Sequence, residues 1–393
     1  MATKKVSFKI TYVDGGTTKH ICSRDSFSIK PAKYTMTPDT TPLIGGKNHQ
    51  LDIKATTLYN NLLNGYTQTI KNTADFEAKL DLVIPPGCGL APLSTKLTMP
   101  FSFSSGAINY TPFKYNNIGN VKLTITDKIW TGADQTHFNG KGYNDCIINS
   151  ESNTHVGGKV GCNISTTKTF TFIPKDFSNT LTLRDFNNST FTYISNVSDM
   201  SAFIDIVTTA RLEDNTPATN YTANCFAKDI NTTVTLLNNV PAAQWLTNDD
   251  NARNRILFFS GTDGTTTSES NATVATSTLS SDQSNFVNSI ANLQINFNFQ
   301  RSNTLVDEPF QIQKNDFNIT ITDNNITGSD FDRTTDVNTT FYYGRSHAPD
   351  QRFAGNVGNA AIYYEIYCKS CNKTDVNITG NESVDSIDWY TNP

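Results

Sequence analysis

"NVKLTITDKIWTGAD", residues 120–134, returns as "DFNITITDNNITGSD" at residues 316–330. A catalytic site is usually built once from residues that the fold gathers, whereas repeated phrases mark repeated modules. The first half of the phrase alternates apolar and polar residues, with Val121, Leu123 and Ile125 on one side, as a strand over a core requires. The second half is turn chemistry: Asp, Gly and Thr.

The repetition extends upstream. "CSRDSFSIKPAKY" begins at Cys22 and "CNISTTKTFTFIPKDF" at Cys162. Each runs from Cys through a short alternation from Phe27 or Phe170 to Pro31 or Pro174, with an aromatic residue three positions on. An apolar alternation follows, "HQLDIKATTLYN" or "SAFIDIVTTARLEDN". Each copy then reaches a Tyr-Thr pair, Tyr66-Thr67 or Tyr221-Thr222, and closes on the opening phrase after Phe113 or Phe310. "KVSFKIT", residues 5–11, matches "NVKLTIT" in pattern, so residues 1–16 read as the last strand of a preceding unit in a tandem array.

Composition agrees with this reading. The chain has 393 residues, 37% hydrophobic and only 17% charged, with 24 Phe and 15 Tyr. Thr, Phe, Tyr, Ile and Val suit pleated, half-buried surfaces, and Asn, Asp, Gly and Ser suit turns. Short strands between Gly, Pro, Asn and Asp clusters predict an all-β protein of tandem immunoglobulin-like β-sandwich domains. The expected organisation is a trailing strand over 1–16, one sandwich over 17–150 and a second with long loops over 155–340. Residues 341–393 are expected to form a C-terminal β-hairpin region or the start of a further sandwich. "INFNFQ" predicts core positions at Ile295, Phe297 and Phe299. "SDQSNFVNSIANLQ" reads as a short helix capped by Ser281 or Asp282, or as a loop. The polar run 261–281 reads as an exposed loop or linker.

The net charge of −5 and the lack of a basic stripe leave nucleic acid without an electrostatic footprint. No apolar run approaches the roughly 18–20 residues of a membrane helix. The N-terminus lacks the apolar stretch of a signal peptide, which fits either a cytoplasmic protein or an internal piece of a longer secreted one. Seven cysteines are scattered through β-type sequence. Only "CKSC" has C-x-x-C spacing, and no second pair lies nearby to complete a zinc site. Structural disulfides in an oxidising compartment follow, with the odd count leaving one thiol free or paired elsewhere. Cys146 and Cys162 flank a Gly- and Asn-rich connector and are expected to bridge it.

The tail carries a resemblance. "FYYGR" followed by "AAIYYEIYC", together with "FTYISNVSDMSAFIDI" and "NYTANCFAKDIN", resembles MshQ-like proteins, large surface proteins associated with mannose-sensitive haemagglutinin pilus clusters. The resemblance implies an array of immunoglobulin-like domains at the outer surface of a Gram-negative bacterium, engaged in pilus assembly or adhesion. It carries over no active site. Its implied partners are neighbouring domains of the same chain, host or surface glycans, and pilus components.

Candidate sites stand beside plainer readings. Arg345, His347, Asp350 and Arg352 in "GRSHAPDQRF" suit an anionic ligand or sugar, or else an ion-paired structural loop. Asp323, Asp330, Asp332 and Asp336 in "TDNNITGSDFDRTTD" supply oxygens for a structural calcium, although Asp in turns is ordinary turn chemistry. No other cofactor is expected. Trp130, Trp245 and Trp389 lie near turns, where they stack on sugars or pack a sandwich edge. No G-x-S-x-G elbow occurs, the histidines lack metal spacing, and nothing selects a carboxylate pair for glycoside hydrolysis. The expectation is a non-enzymatic, adhesive segment that spaces and presents a binding surface. A carbohydrate-binding module is the alternative.

Overall fold

The computed structural model describes residues 1–393 except 98, 136–143, 238–254, 260–275, 302–305, 330, 332–337, 370, 372–381, 384–385 and 392–393. Strands dominate it, and the chain is all-β. It divides into two compact units. The first holds Met1–Lys175 with Leu212–Asn220 and Asn224–Phe226, and the second holds Asp176–Arg211, Tyr221–Ala223 and Ala227–Pro393.

In the first unit, His49–Thr56 lies between Lys33–Pro38 and Ala107–Phe113 in one antiparallel sheet. The facing sheet centres on Gly119–Asp127, paired with Phe76–Val83 on one side and Ile164–Ile173 on the other. The alternation of "VKLTIT" decides the face: Val121, Leu123 and Ile125 are buried, and Lys122 points out to solvent. These side chains share one core with Met36, Leu51 and Ile53 of the opposite sheet, which makes the unit a sandwich. A disulfide, Cys88–Cys225, fastens the short return Asn224–Phe226 to it.

The second unit repeats the plan. Asp176–Arg184, Ala202–Arg211, Ile290–Phe299 and Ile256–Phe259 form one sheet, and Thr276–Ser281, Ile230–Leu236, Phe317–Thr322 and Thr327–Gly328 form the other. Ile295, Phe297 and Phe299 are buried. Phe297 meets Phe317 of the facing sheet edge-on at 5.3 Å. Two small sheets complete this unit: Thr192–Tyr193, Asn338–Tyr342 and Phe310–Gln313, then Gly344–His347, Tyr363–Tyr367 and Trp389–Thr391.

The repeated phrase performs the same task twice. The Tyr66 hydroxyl donates to Asp127 Oδ2 at 2.8 Å, and the Tyr221 hydroxyl donates to Asp323 Oδ2 at 2.9 Å. The other oxygen of each aspartate accepts two amides of the following turn, from Ile129 and Trp130 in the first unit and from Asn325 and Ile326 in the second. A carboxylate buried at a strand end is stable only when hydrogen-bonded in this way. Burial, then the neighbouring charge, pushes the Tyr221 phenol well above its ordinary value; Tyr66 shifts the same way and for the same leading cause.

Several expectations change. Ile164–Ile173, assigned from sequence to the second sandwich, adds to the first unit's sheet because its Thr-rich edge pairs in register with Gly119–Asp127. The first unit therefore reaches Lys175 rather than 150. Residues 341–393, expected as a β-hairpin region or the start of a further sandwich, contribute the sheet Gly344–His347, Tyr363–Tyr367 and Trp389–Thr391 to the second unit. Residues 1–16 are not one strand: Thr3–Val6 pairs with Phe27–Ile29, whereas Lys9–Asp14 turns back onto Thr17–Cys22 as an exposed hairpin. Ala2 is buried against Gly65, where a Cβ would stand 2.0 Å from the Ala2 carbonyl oxygen. Within the run 261–281, Thr276–Ser281 is a strand on Ile230–Leu236 rather than linker. The Ser281–Gln294 stretch holds one 3-10 turn, Gln283–Asn285, capped by Asp282, and then enters the strand Ile290–Phe299.

Candidate ligand-binding pocket

The strand Tyr363–Tyr367 buries one carboxylate, Glu365, amid aromatic residues. Strand pairing sets Arg345 directly opposite it, and the alternation places His347 on the same face two residues on. Arg345 Nε donates to Glu365 Oε2 at 2.8 Å, and His347 Nδ1 lies 3.0 Å from Oε1. Arg345 Nη2 lies 2.8 Å from the same Oε2 but off the hydrogen-bond axis, so the pairing is monodentate. Burial alone raises the Glu365 carboxyl; hydrogen bonds from Ser383, Arg345 and His347 outweigh it and hold the group below the usual glutamate value. The Arg345 guanidinium also stacks on Trp389, 3.9 Å from the ring centroid.

Beside this network opens a cavity of about 400 Å³, lined by Tyr193, Asn196, Met200, Arg301, Arg345 and Tyr364 among others. Asn298 braces the loop that forms one wall. Its side chain is fully buried and donates to the carbonyls of Tyr193 and Met200 at 3.0 and 2.9 Å. Its oxygen accepts from the Ser195 and Phe299 amides. All its hydrogen-bonding capacity is spent on holding the Tyr193–Met200 loop. Asn196 Oδ1 in turn accepts from the Arg301 amide at 2.8 Å. The Arg301 guanidinium lies 4.1 Å from the Tyr343 ring centroid. Gly344 lets the Tyr193 ring lie against the strand, since a Cβ there would stand 2.4 Å from a ring carbon. Tyr364 presents its ring to solvent at 66% exposure.

The structure thus joins Arg345 and His347 on a carboxylate that the sequence reading did not single out. Asp350 and Arg352 lie in the loop beyond the strand Gly344–His347 and do not join them. Asp323 is the acceptor of the Tyr221 tie, with both oxygens already engaged. Asp330, Asp332 and Asp336 lie outside the described residues, as does Trp245. Among the described residues, no group of three or more His, Cys, Asp or Glu side chains is arranged to hold a metal. Trp130 is buried in the first core. Cys146 and Cys162 are bonded, as are Cys368 and Cys371, and Cys22 is free and exposed. Glu365 had a sequence signal, a lone acid inside the aromatic strand "YYEIY". Arg301 and Asn298 had none, because their partners lie far off in sequence.

No family model and no curated protein sequence matches this chain. Solved structures show a distant likeness. A beta-glycosidase from Bacteroides vulgatus has 10% identity and a TM-score of 0.18, over 79% of this chain and 24% of that one. Invasin, a bacterial integrin-binding protein, has 10% identity and a TM-score of 0.22, over 91% and 53%. The collagen adhesin of S. aureus has 10% identity and a TM-score of 0.16, over 80% and 94%. The chain spans about a quarter of the glycosidase and about half of invasin.

Proposed function

We propose that this chain is an adhesive segment of a bacterial cell-surface protein, whose duplicated sandwiches carry a glycan-binding pocket. The observation that carries the reading is the pocket itself, in which an exposed tyrosine ring and two arginine side chains surround a cavity braced by buried hydrogen bonds. Sugar rings present C–H faces to aromatic rings and hydroxyls to polar side chains, and a concave site with a few fixed polar groups suits such a ligand. Three disulfides support an oxidising, extracytoplasmic setting. The resemblance to pilus-cluster surface proteins makes the outer surface of a Gram-negative bacterium the proposed location, with attachment or pilus association as the role. A glycan array tests the reading. Binding that disappears in Tyr364→Ala supports it; a blank array for the folded protein refutes it and leaves a mechanical spacer as the better description.

A further inference from the structure

Resting on the glycan reading, we propose that the ligand carries a carboxylate and that Arg301 receives it: the pocket selects acidic saccharides of the uronic or sialic acid kind. The cavity is lined by two guanidinium groups, each stacked on an aromatic ring, Arg345 on Trp389 and Arg301 on Tyr343. They differ in what meets their edges. Arg345 has an internal counter-ion, the buried Glu365. Among the described residues, no carboxylate pairs with Arg301; its backbone amide binds Asn196 and its face covers Tyr343.

Stacking occupies the face of a guanidinium and leaves its donors at the edge, in one plane. That fork matches a planar carboxylate in two parallel hydrogen bonds. Lying half-buried at the cavity wall, the Arg301 charge gains more from a ligand carboxylate than a fully solvated arginine does. The adjacent Arg345–Glu365 pair is already neutralised and supplies shape rather than charge. Tyr364 presents its exposed ring to the sugar, and Ser195, Asn196 and Ser346 line the cavity beside its hydroxyls.

Calorimetric titration of the full chain tests this with matched probes: galacturonic acid, N-acetylneuraminic acid, the methyl ester of each, and galactose. The expected result is that each acid binds at least tenfold more tightly than its ester. Arg301→Ala is expected to abolish the preference for the acid that the wild-type protein shows, acid and ester then binding alike. Arg301→Lys keeps the charge without the fork and is expected to fall between the two. A thermal melt of each variant establishes that it is folded. Equal affinity for acid and ester, or an acid preference that survives Arg301→Ala in a folded variant, overturns the carboxylate inference while leaving the glycan reading in place. Inorganic sulfate competing as well as the acids overturns it in favour of a general anion site. Failure of every sugar, neutral ones included, overturns the glycan reading itself. An acidic peptide binding where no sugar does replaces the saccharide by a protein partner.

Discussion

At the scale of single residues, both sandwiches depend on one hydroxyl and one carboxylate. Tyr221→Phe removes the donor to a buried aspartate and leaves Asp323 Oδ2 short of a partner. The expected cost is about 1.5–3 kcal/mol, the range for a hydrogen bond to a charged group, read as a lower denaturant midpoint at unchanged slope. Tyr66→Phe acts in the same direction and also strips the Tyr34 hydroxyl of its partner at 2.7 Å. Because both folded-state phenols are raised, the ties contribute fully below the ordinary tyrosine value of about 10 and weaken as pH climbs above it. Glu365 has the opposite sign. Its carboxyl is lowered in the folded state, so its contribution is complete above the ordinary glutamate value of about 4.3 and is lost as pH falls below it. Trp389 fluorescence should accordingly hold steady from neutrality to about pH 5 and change on further acidification, and Glu365→Gln should abolish that acid transition. Gly344→Ala should drive the Tyr193 ring off the strand and weaken the proposed glycan binding, because a ring packed on backbone has little room to yield. The Tyr-Thr pairs and "TITD" phrases were legible as repeats, yet their meeting was not, since hydrogen-bond partners 61 and 102 residues apart leave no periodic trace.

At the scale of elements, a repeated pattern did not guarantee repeated pairing. "KVSFKIT" resembles a closing strand, but its second half leaves the sheet to form a hairpin whose residues are all exposed. Isolated two-stranded hairpins contribute little stability. The Phe8 and Ser23 backbones already meet at its neck, with the Ser23 amide 2.7 Å from the Phe8 carbonyl. Replacing residues 9–22 by Asn-Gly should leave the melting temperature nearly unchanged. Removing Met1–Val6 should lower it, because Ala2 leaves its place beside Gly65 and Thr3–Val6 leaves Phe27–Ile29 unpaired. Deleting residues 120–126 should unfold the first unit outright, since that strand is central to its sheet. The Cys146–Cys162 bridge, at a separation of 16, is worth about 3 kcal/mol in the chain-entropy model. Non-reducing peptide mapping should recover it, and finding both thiols alkylated in native protein would rule it out. The strand Ile164–Ile173 was legible as a strand, but not as the first unit's; alternation gives the face a strand buries and says nothing of which neighbour it takes.

At the scale of the molecule, the all-β architecture followed from composition and turn spacing, because the same alternation that names a strand also names the face it must bury. The division into units was harder to read. The compact units exchange short segments of chain, with Leu212–Asn220 and Asn224–Phe226 belonging to the first although sequence on both sides belongs to the second. No linker composition marks such a crossing. Cys88 and Cys225 lie on the first unit and close a loop with a sequence separation of 137. A chain pulled from its two ends lengthens only by what lies outside its covalent loops. While that bond is intact, the sequence between the two cysteines cannot be drawn out, whatever becomes of its hydrogen bonds. At roughly 3.3–3.6 Å per extended residue, about 450 Å of slack is withheld by that bond together with the Cys146–Cys162 bridge nested inside its loop. Single-molecule stretching should show that length appear only after a reductant is added. Under tension the oxidised chain is thus the shorter of two lengths, and the redox state of its nested disulfides sets which one is available.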